Sequence, residues 1–158
     1  MKFKVFVIVI LILLSAFFSS CVSSQIVVRG FVDENRSAGQ NTFFLKPLEV
    51  IAYNFYEKEE AAFILENKLF LALSSKEGLK LVGKEANYHI EPELLIKSYE
   101  EKYDRRNYYL LNLKIMEGDR SVGLFSYEYN GSLSIFDSRV QNGMIERFIK
   151  DLGDFIRL

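Results

Sequence analysis

Between Tyr108 and Met116 the chain alternates with period two: Tyr109, Leu111, Leu113 and Ile115 are apolar, and Leu110, Asn112 and Lys114 stand between them. Successive strand residues point to opposite faces, so this pattern describes a strand buried on one side and wet on the other, as in an antiparallel sheet. Such a sheet needs a second layer to cover its apolar face. The C-terminal stretch offers one. From Ser138 to Ile156, the residues Val140, Met144, Ile145, Phe148, Ile149, Leu152, Phe155 and Ile156 fall on one face of a helix, opposite Asn142, Glu146, Lys150 and Arg157. Asp137 or Ser138 can cap it. Gly143 and Gly153 fall on its polar side, where each costs about 1 kcal/mol of helix propensity.

A second helix is predicted from Asn54 to Ser75. Asn54 followed by Glu57 fits a capping arrangement, Glu57, Glu59 and Glu60 lie where the helix dipole favours negative charge, and Gly78 supplies a stop. Ala61, Ala62, Leu65, Leu69, Ala72 and Leu73 form a core-facing stripe. Phe63, Ile64, Phe70 and Leu71 form another apolar surface, set apart by Glu59 and Glu66 on one side and Lys68 on the other. Two explanations stand: the segment from Thr42 to Tyr56 folds back over it, or it is a surface for a partner.

The rest of the chain reads as strands: 25–32, 42–46 stopped by Pro47, 79–82, 88–99, 108–116, 121–129 and 132–136. Pro92 marks an edge or a bulge in its strand. Lys102 to Asn107 and Glu117 to Arg120 are polar turns, and Asn130-Gly131 signals a hairpin joining the last two strands. The expected fold class is α+β, a two-layer sandwich of an antiparallel sheet with two helices on one face. With no repeat or low-complexity tract to divide it, 25–158 is read as a single domain.

The N-terminus has a different character. Lys2 and Lys4 precede an apolar run from Val5 to Phe18, broken only by Ser15. A bilayer-spanning helix needs ~20 apolar residues, whereas a secretory signal needs roughly 7 to 15 with positive charge before them. Residues 1–20 therefore read as an export signal. Ser19 and Ser20 follow, then Cys21, the one cysteine of the chain. Beyond Cys21 the domain must fold without a disulfide, even in an oxidising compartment. Only Val22, Ser23 and Ser24 separate the cysteine from the first strand region, so residues 21–24 make a short tether.

The composition narrows the chemistry. Against 21 Asp+Glu stand 20 Lys+Arg, a net charge of -1, which lacks the basic field that nucleic-acid binding requires. Nucleophilic hydrolysis needs a base, and the one histidine, His89, stands in no Gly-x-Ser-x-Gly elbow or other hydrolase motif. His89 and Glu91 offer at most two metal ligands on one strand face, too few for a zinc site. Neither catalytic residues nor a metal or cofactor site is expected. Tyr103, Arg105, Arg106 and Tyr108 cluster at one turn and are the candidate ligand surface, because tyrosine combines an apolar body with a polar tip and arginine recognises anions.

Phe18-Ser19-Ser20-Cys21 resembles a bacterial lipobox, with Phe18 where Leu is usual. The resemblance implies cleavage between Ser20 and Cys21, with covalent diacylglyceryl and acyl groups on Cys21. Ordinary signal cleavage beside a chance cysteine, or an uncleaved anchor from Val5 to Val22, are the alternatives. A single acyl chain holds a membrane marginally, whereas two hold it stably. After this lipobox, the order strand, helix, several strands, final helix is similar to small envelope lipoproteins that assist larger membrane machines, including the lipopolysaccharide-assembly lipoprotein that plugs an outer-membrane barrel. That resemblance implies an exported, non-enzymatic accessory or structural protein, lipid-anchored to the outer membrane and facing the periplasm, and carries over no site residue. An envelope protein partner is expected to dock on a sheet edge or on the helix surface of Phe63, Ile64, Phe70 and Leu71. The alternative function is binding of an envelope lipid, glycan or peptidoglycan fragment at the tyrosine and arginine turn.

Overall fold

The computed structural model describes residues 26–35, 42–53, 55–101 and 104–157. Ser20, Cys21, the tether, Asn54 and Tyr103 lie outside the described residues. In chain order the elements are β1 (Ile26–Val32), β2 (Thr42–Leu45), β3 (Glu49–Tyr53), α1 (Lys58–Ser74), β4 (Lys80–Leu81), β5 (Tyr88–Glu101), β6 (Asp104–Glu117), β7 (Arg120–Gly131) and α2 (Ser138–Arg157). The strands form one sheet in the order β1-β7-β6-β5-β2-β4, with β3 also beside β5. Both helices cover the face of this sheet that carries Tyr88, Ile90, Leu94, Ile96, Leu111, Leu113, Ile115, Phe125 and Tyr127. The α+β fold class is the expected one.

Within the sheet, β1, β7, β6 and β5 pair antiparallel, whereas β2 and β3 run parallel to β5. The parallel part follows from the chain path: α1 carries the chain from the end of β3 back to the start of β5, and a strand reached by a crossover helix lies parallel to its predecessor. No sequence signal marked β3, whose short alternating run Glu49–Tyr53 is held by pairing with Glu93 to Lys97.

Pro92 is buried in the middle of the sheet rather than at an edge or a bulge. The nitrogen of Lys46 donates to the oxygen of Ile90 at 2.9 Å, so the backbone of Ile90, and of Pro92 two residues on, faces the β2/β3 side. Pro92 there meets the break between β2 and β3, where its missing N–H takes nothing from the ladder.

Two turns differ from expectation. Asp104 to Asn107 belong to β6 and pair with Glu101 to Ser98, so they are strand rather than the expected turn. Asn130 and Gly131 make no hairpin: they extend β7 opposite Tyr108 and Asn107, and Gly131 does not adopt the positive φ that such a turn requires. Residues 132–136 are consequently not a strand. They are pinned by side chains of the sheet, with the hydroxyl of Tyr109 and the amide of Asn107 donating to the oxygen of Leu133, both at 3.2 Å, and the hydroxyl of Tyr129 accepting from its nitrogen at 3.1 Å.

The two helices are fastened differently. α2 buries Val140, Met144, Ile145, Phe148, Leu152 and Phe155 against β7 and its neighbours, with the Phe125 and Phe148 rings 6.1 Å apart. Asp137 caps it, its carboxylate accepting from the nitrogen of Arg139 at 2.9 Å. Gly153 is buried beside Lys76 rather than facing solvent, and Gly143 is half-buried, where a Cβ would come within 2.7 Å of the tip of the Ile26 side chain. Close approach of β1 and of the segment after α1 explains these helix glycines. α1 starts at Lys58, behind Glu57, which makes no side-chain capping bond.

Candidate functional site

α1 carries apolar side chains on opposite sides. Ala61, Leu65, Leu69 and Leu73 are fully buried, and Ala62 and Ala72 pack beside them, as the stripe predicts. Phe63, Phe70 and Leu71 remain 70%, 53% and 65% exposed, and Ile64 is half-buried. The segment from Thr42 to Tyr56 does not fold over them; its strands join the sheet beside β5. Polar flanks fix the rotation of the helix. Glu66 accepts from the nitrogen of Leu48 at 3.1 Å on one side, and Lys68 donates to Asn142 of α2 at 3.0 Å on the other. The phenylalanines and Leu71 are thus held outward by bonds that turn the leucines inward. Burying one such side chain contributes roughly 1.5–3 kcal/mol, so three together make a strong adhesive surface.

The predicted tyrosine and arginine surface is not assembled as one site. Arg105 and Arg106 are adjacent in β6, so they point to opposite faces, and Tyr108, three residues from Arg105, also faces away from it. Arg105 instead lines a recess of about 450 Å³ with Ser98, Tyr99 and Glu100. Tyr99 donates to the Asn130 side chain at 3.0 Å. Desolvation raises the Tyr108 phenol above its ordinary pKa, aided by the carboxylate of Glu128. Its neighbour Tyr109 belongs to the core, where burial pushes the phenol up to about 12 and its ring stacks on Tyr129. Tyr127 is likewise buried, and its hydroxyl donates to Asp151 of α2 at 2.7 Å.

The uncovered sheet face is a wet surface. Glu91 binds Lys46 at 2.6 Å and lies 3.8 Å from Lys114, and the bond from Lys46 holds its carboxyl below the usual range. Asn112 bridges Glu93 and Ser126 on the next rung. His89 lies 3.1 Å from the oxygen of Lys84 and packs on Phe44. Among the described residues, no three His, Cys, Asp or Glu side chains gather as metal ligands would.

One structural residue had no sequence signal of its importance. Asn107, read as part of a turn, is a buried polar side chain that accepts from Ser98 at 2.9 Å and holds the segment after β7.

The chain matches no protein-family model and no curated protein by sequence. Its fold is shared with the PelC dodecamer from Paraburkholderia phytofirmans, at 12% identity and a TM-score of 0.55 over 80% of this chain and 96% of that one. Looser similarity extends to the hypothetical protein CT253 from Chlamydia trachomatis, at 11% identity and a TM-score of 0.47 over 73% of this chain and 95% of that one. It extends also to protein XCC0632 from Xanthomonas campestris, described with family model DUF330, at 12% identity and a TM-score of 0.40 over 77% and 85% of the two chains. What the PelC comparison establishes for this chain is its fold, which among the described residues is a seven-stranded sheet with two helices on one face.

Proposed function

We propose that this chain is an exported bacterial lipoprotein, anchored through Cys21 to the outer membrane and facing the periplasm, which acts without catalysis through protein contacts made by the outer face of α1. The observation that carries the protein-contact reading is the exposure of Phe63, Phe70 and Leu71 on a helix whose opposite side is fully buried. Monomers seldom keep such a patch open. The anchor is supported by the short apolar run behind Lys2 and Lys4 and by the position of Cys21 after two small residues. A solved structure that shares this fold, that of PelC, is a dodecamer, which makes further copies of the chain the first partner to test.

Two measurements test the two halves separately. Intact mass and detergent partitioning of wild type beside Cys21→Ala should show a species beginning at Cys21 with added acyl mass, absent from the mutant. A mutant cleaved and partitioned like wild type would end the lipoprotein reading. For the contact surface, a Phe63→Glu, Leu71→Glu double variant is expected to keep its thermal midpoint and lose the higher-mass species seen by light scattering or by crosslinking in membranes. Unchanged assembly in that variant would remove α1 as the contact.

A further inference from the structure

The sheet register places the chain's emergence and a tyrosine-rich pole at the same end of the molecule. Ile26, the first described residue, pairs with Tyr129, Tyr129 with Tyr109, Tyr109 with Ile96, and Ile96 with Ala52, so one rung crosses the sheet from β1 to β3. β5 and β6 continue past that rung. Tyr99 and Arg106 form a pair three residues further on and Glu100 and Arg105 the next, which raises them about 10–13 Å above Ile26 at the rise of a strand. Tyr53 ends β3 one residue past the same rung, and Tyr56 follows it on the way into α1. Tyr53, Tyr56 and Tyr99 are 55%, 96% and 41% exposed, and Arg105 and Arg106 are exposed beside them.

The length of chain before Ile26 then limits how far this pole stands from a membrane that holds Cys21. From Cys21 to Ile26 a fully extended chain spans at most about 17 Å. The polar layer on each side of a bilayer is about 6 Å thick, so a lipid-bearing Cys21 keeps Ile26 within roughly 25 Å of the hydrocarbon boundary. The upper rungs take up half of that distance. Tyrosine is enriched at this depth because its ring sits among headgroup and acyl boundary while its hydroxyl stays wet, and arginine pairs with phosphate.

We infer that the pole marked by Tyr53, Tyr56 and Tyr99, with Arg105 and Arg106, rests on the phospholipid headgroups of the membrane that holds Cys21. The inference builds on the lipid-anchor reading. Glu100 stands opposite Arg105, so the pole is mixed in charge and its contact is interfacial seating by tyrosine rather than attraction to a highly anionic surface. With this pole down, α1 runs from the membrane end to the far end of the sheet, and its exposed phenylalanines face sideways along the membrane, where other anchored proteins are met.

The test uses the full chain, purified from a bacterial host and reconstituted in vesicles of phosphatidylethanolamine and phosphatidylglycerol. Cys21 is blocked by lipid, so a single added cysteine at Tyr56→Cys, Tyr99→Cys or, at the opposite pole, Asp119→Cys takes a fluorescent label alone. Quenching by headgroup-nitroxide lipid is expected to be several-fold stronger at positions 56 and 99 than at 119. Equal, weak quenching at all three in a protein with intact acyl mass would overturn the membrane-facing pole and leave the anchor standing. A protein that lacks acyl mass and leaves the vesicles would overturn both.

Discussion

The two helices lie on the same sheet face, yet only one of them is accounted for by that position. α2 has a single apolar face, and the sheet buries it: Phe148, Leu152 and Phe155 are inside, Asn142, Glu146 and Lys150 outside. α1 buries four residues with equal completeness and still displays Phe63, Phe70 and Leu71. Selection for folding alone explains α2. In α1 the extra apolar side chains add nothing to the core and cost solubility, which the proposed contact on this face would offset.

That contrast is sharpest between adjacent residues. Leu69→Ala is expected to cost about 2–5 kcal/mol in urea unfolding, because its fully buried side chain leaves a cavity, whereas Phe70→Ala should stay within about 0.5 kcal/mol. Equal costs would mean that the outer face also belongs to the core, and the partner reading would lose its basis.

An alkaline titration tests α2 next, since the buried Tyr127 phenol ties it to the sheet. Burial, then the bond to Asp151, raises the Tyr127 phenol far above its ordinary value of 10.0, and Tyr109 on the neighbouring strand is pushed to about 12. The folded state then holds these protons longer than the unfolded state does. Their stabilisation is complete below pH 10 and declines above it, that of Tyr109 being lost as pH rises through about 12 while that of Tyr127 is still falling there. Unfolding free energy measured from pH 9 to 12 should fall for wild type and fall less steeply for Tyr127→Phe. Equal slopes would count against the buried phenols.

Capping gives a smaller difference. Asp137→Ala removes the α2 cap and is expected to cost about 0.5–2 kcal/mol, while Glu57→Ala, at the uncapped start of α1, should cost far less. The bond from Arg139 holds the Asp137 carboxyl below its ordinary value of 3.8, so its contribution is present above that pH and disappears as acid protonates it. A cost for Asp137→Ala that persisted unchanged at pH 2 would contradict this. Smallest of all, Gly143→Ala should fail to deliver the ~1 kcal/mol of helix propensity expected at a solvent-facing site, because the new methyl meets Ile26. A full gain in thermal stability would restore the solvent-facing reading of that glycine.

Strong periodicity was legible in the sequence. The stripe from Val140 to Phe155 specifies α2 within a residue or two, because burial on one side imposes a repeat that local signals cannot imitate. The alternation over Tyr109 to Ile115 likewise specifies the body of β6, but not its start at Asp104, four residues before the expected one. Local signals misled where a long-range partner outbid them. Asn130-Gly131 has the chemistry of a turn but finds Tyr108 and Asn107 opposite it, and Pro92 looks like an edge residue until the gap between β2 and β3 supplies a place for it. The apolar surface on α1 was visible as residues, but whether it was covered depended on where β3 would pair. Arg105 and Tyr108 looked like neighbours only while the segment was taken as a turn; in a strand, three residues apart means opposite faces.

The edge strand β1 has a consequence for the order in which the molecule assembles. Its ladder partner is β7, Ile26 to Val32 pairing with Tyr129 to Gly123, nearly the whole length of the domain away. Contacts of such separation close late, since the intervening chain must first be organised. During N-to-C synthesis, β1 therefore waits unpaired until β7 has emerged, while β5, β6 and β7 can zip as successive hairpins. Any enzyme that acts on the residues before Ile26 meets an open strand throughout that interval, and the closing of β1 onto β7 ends it.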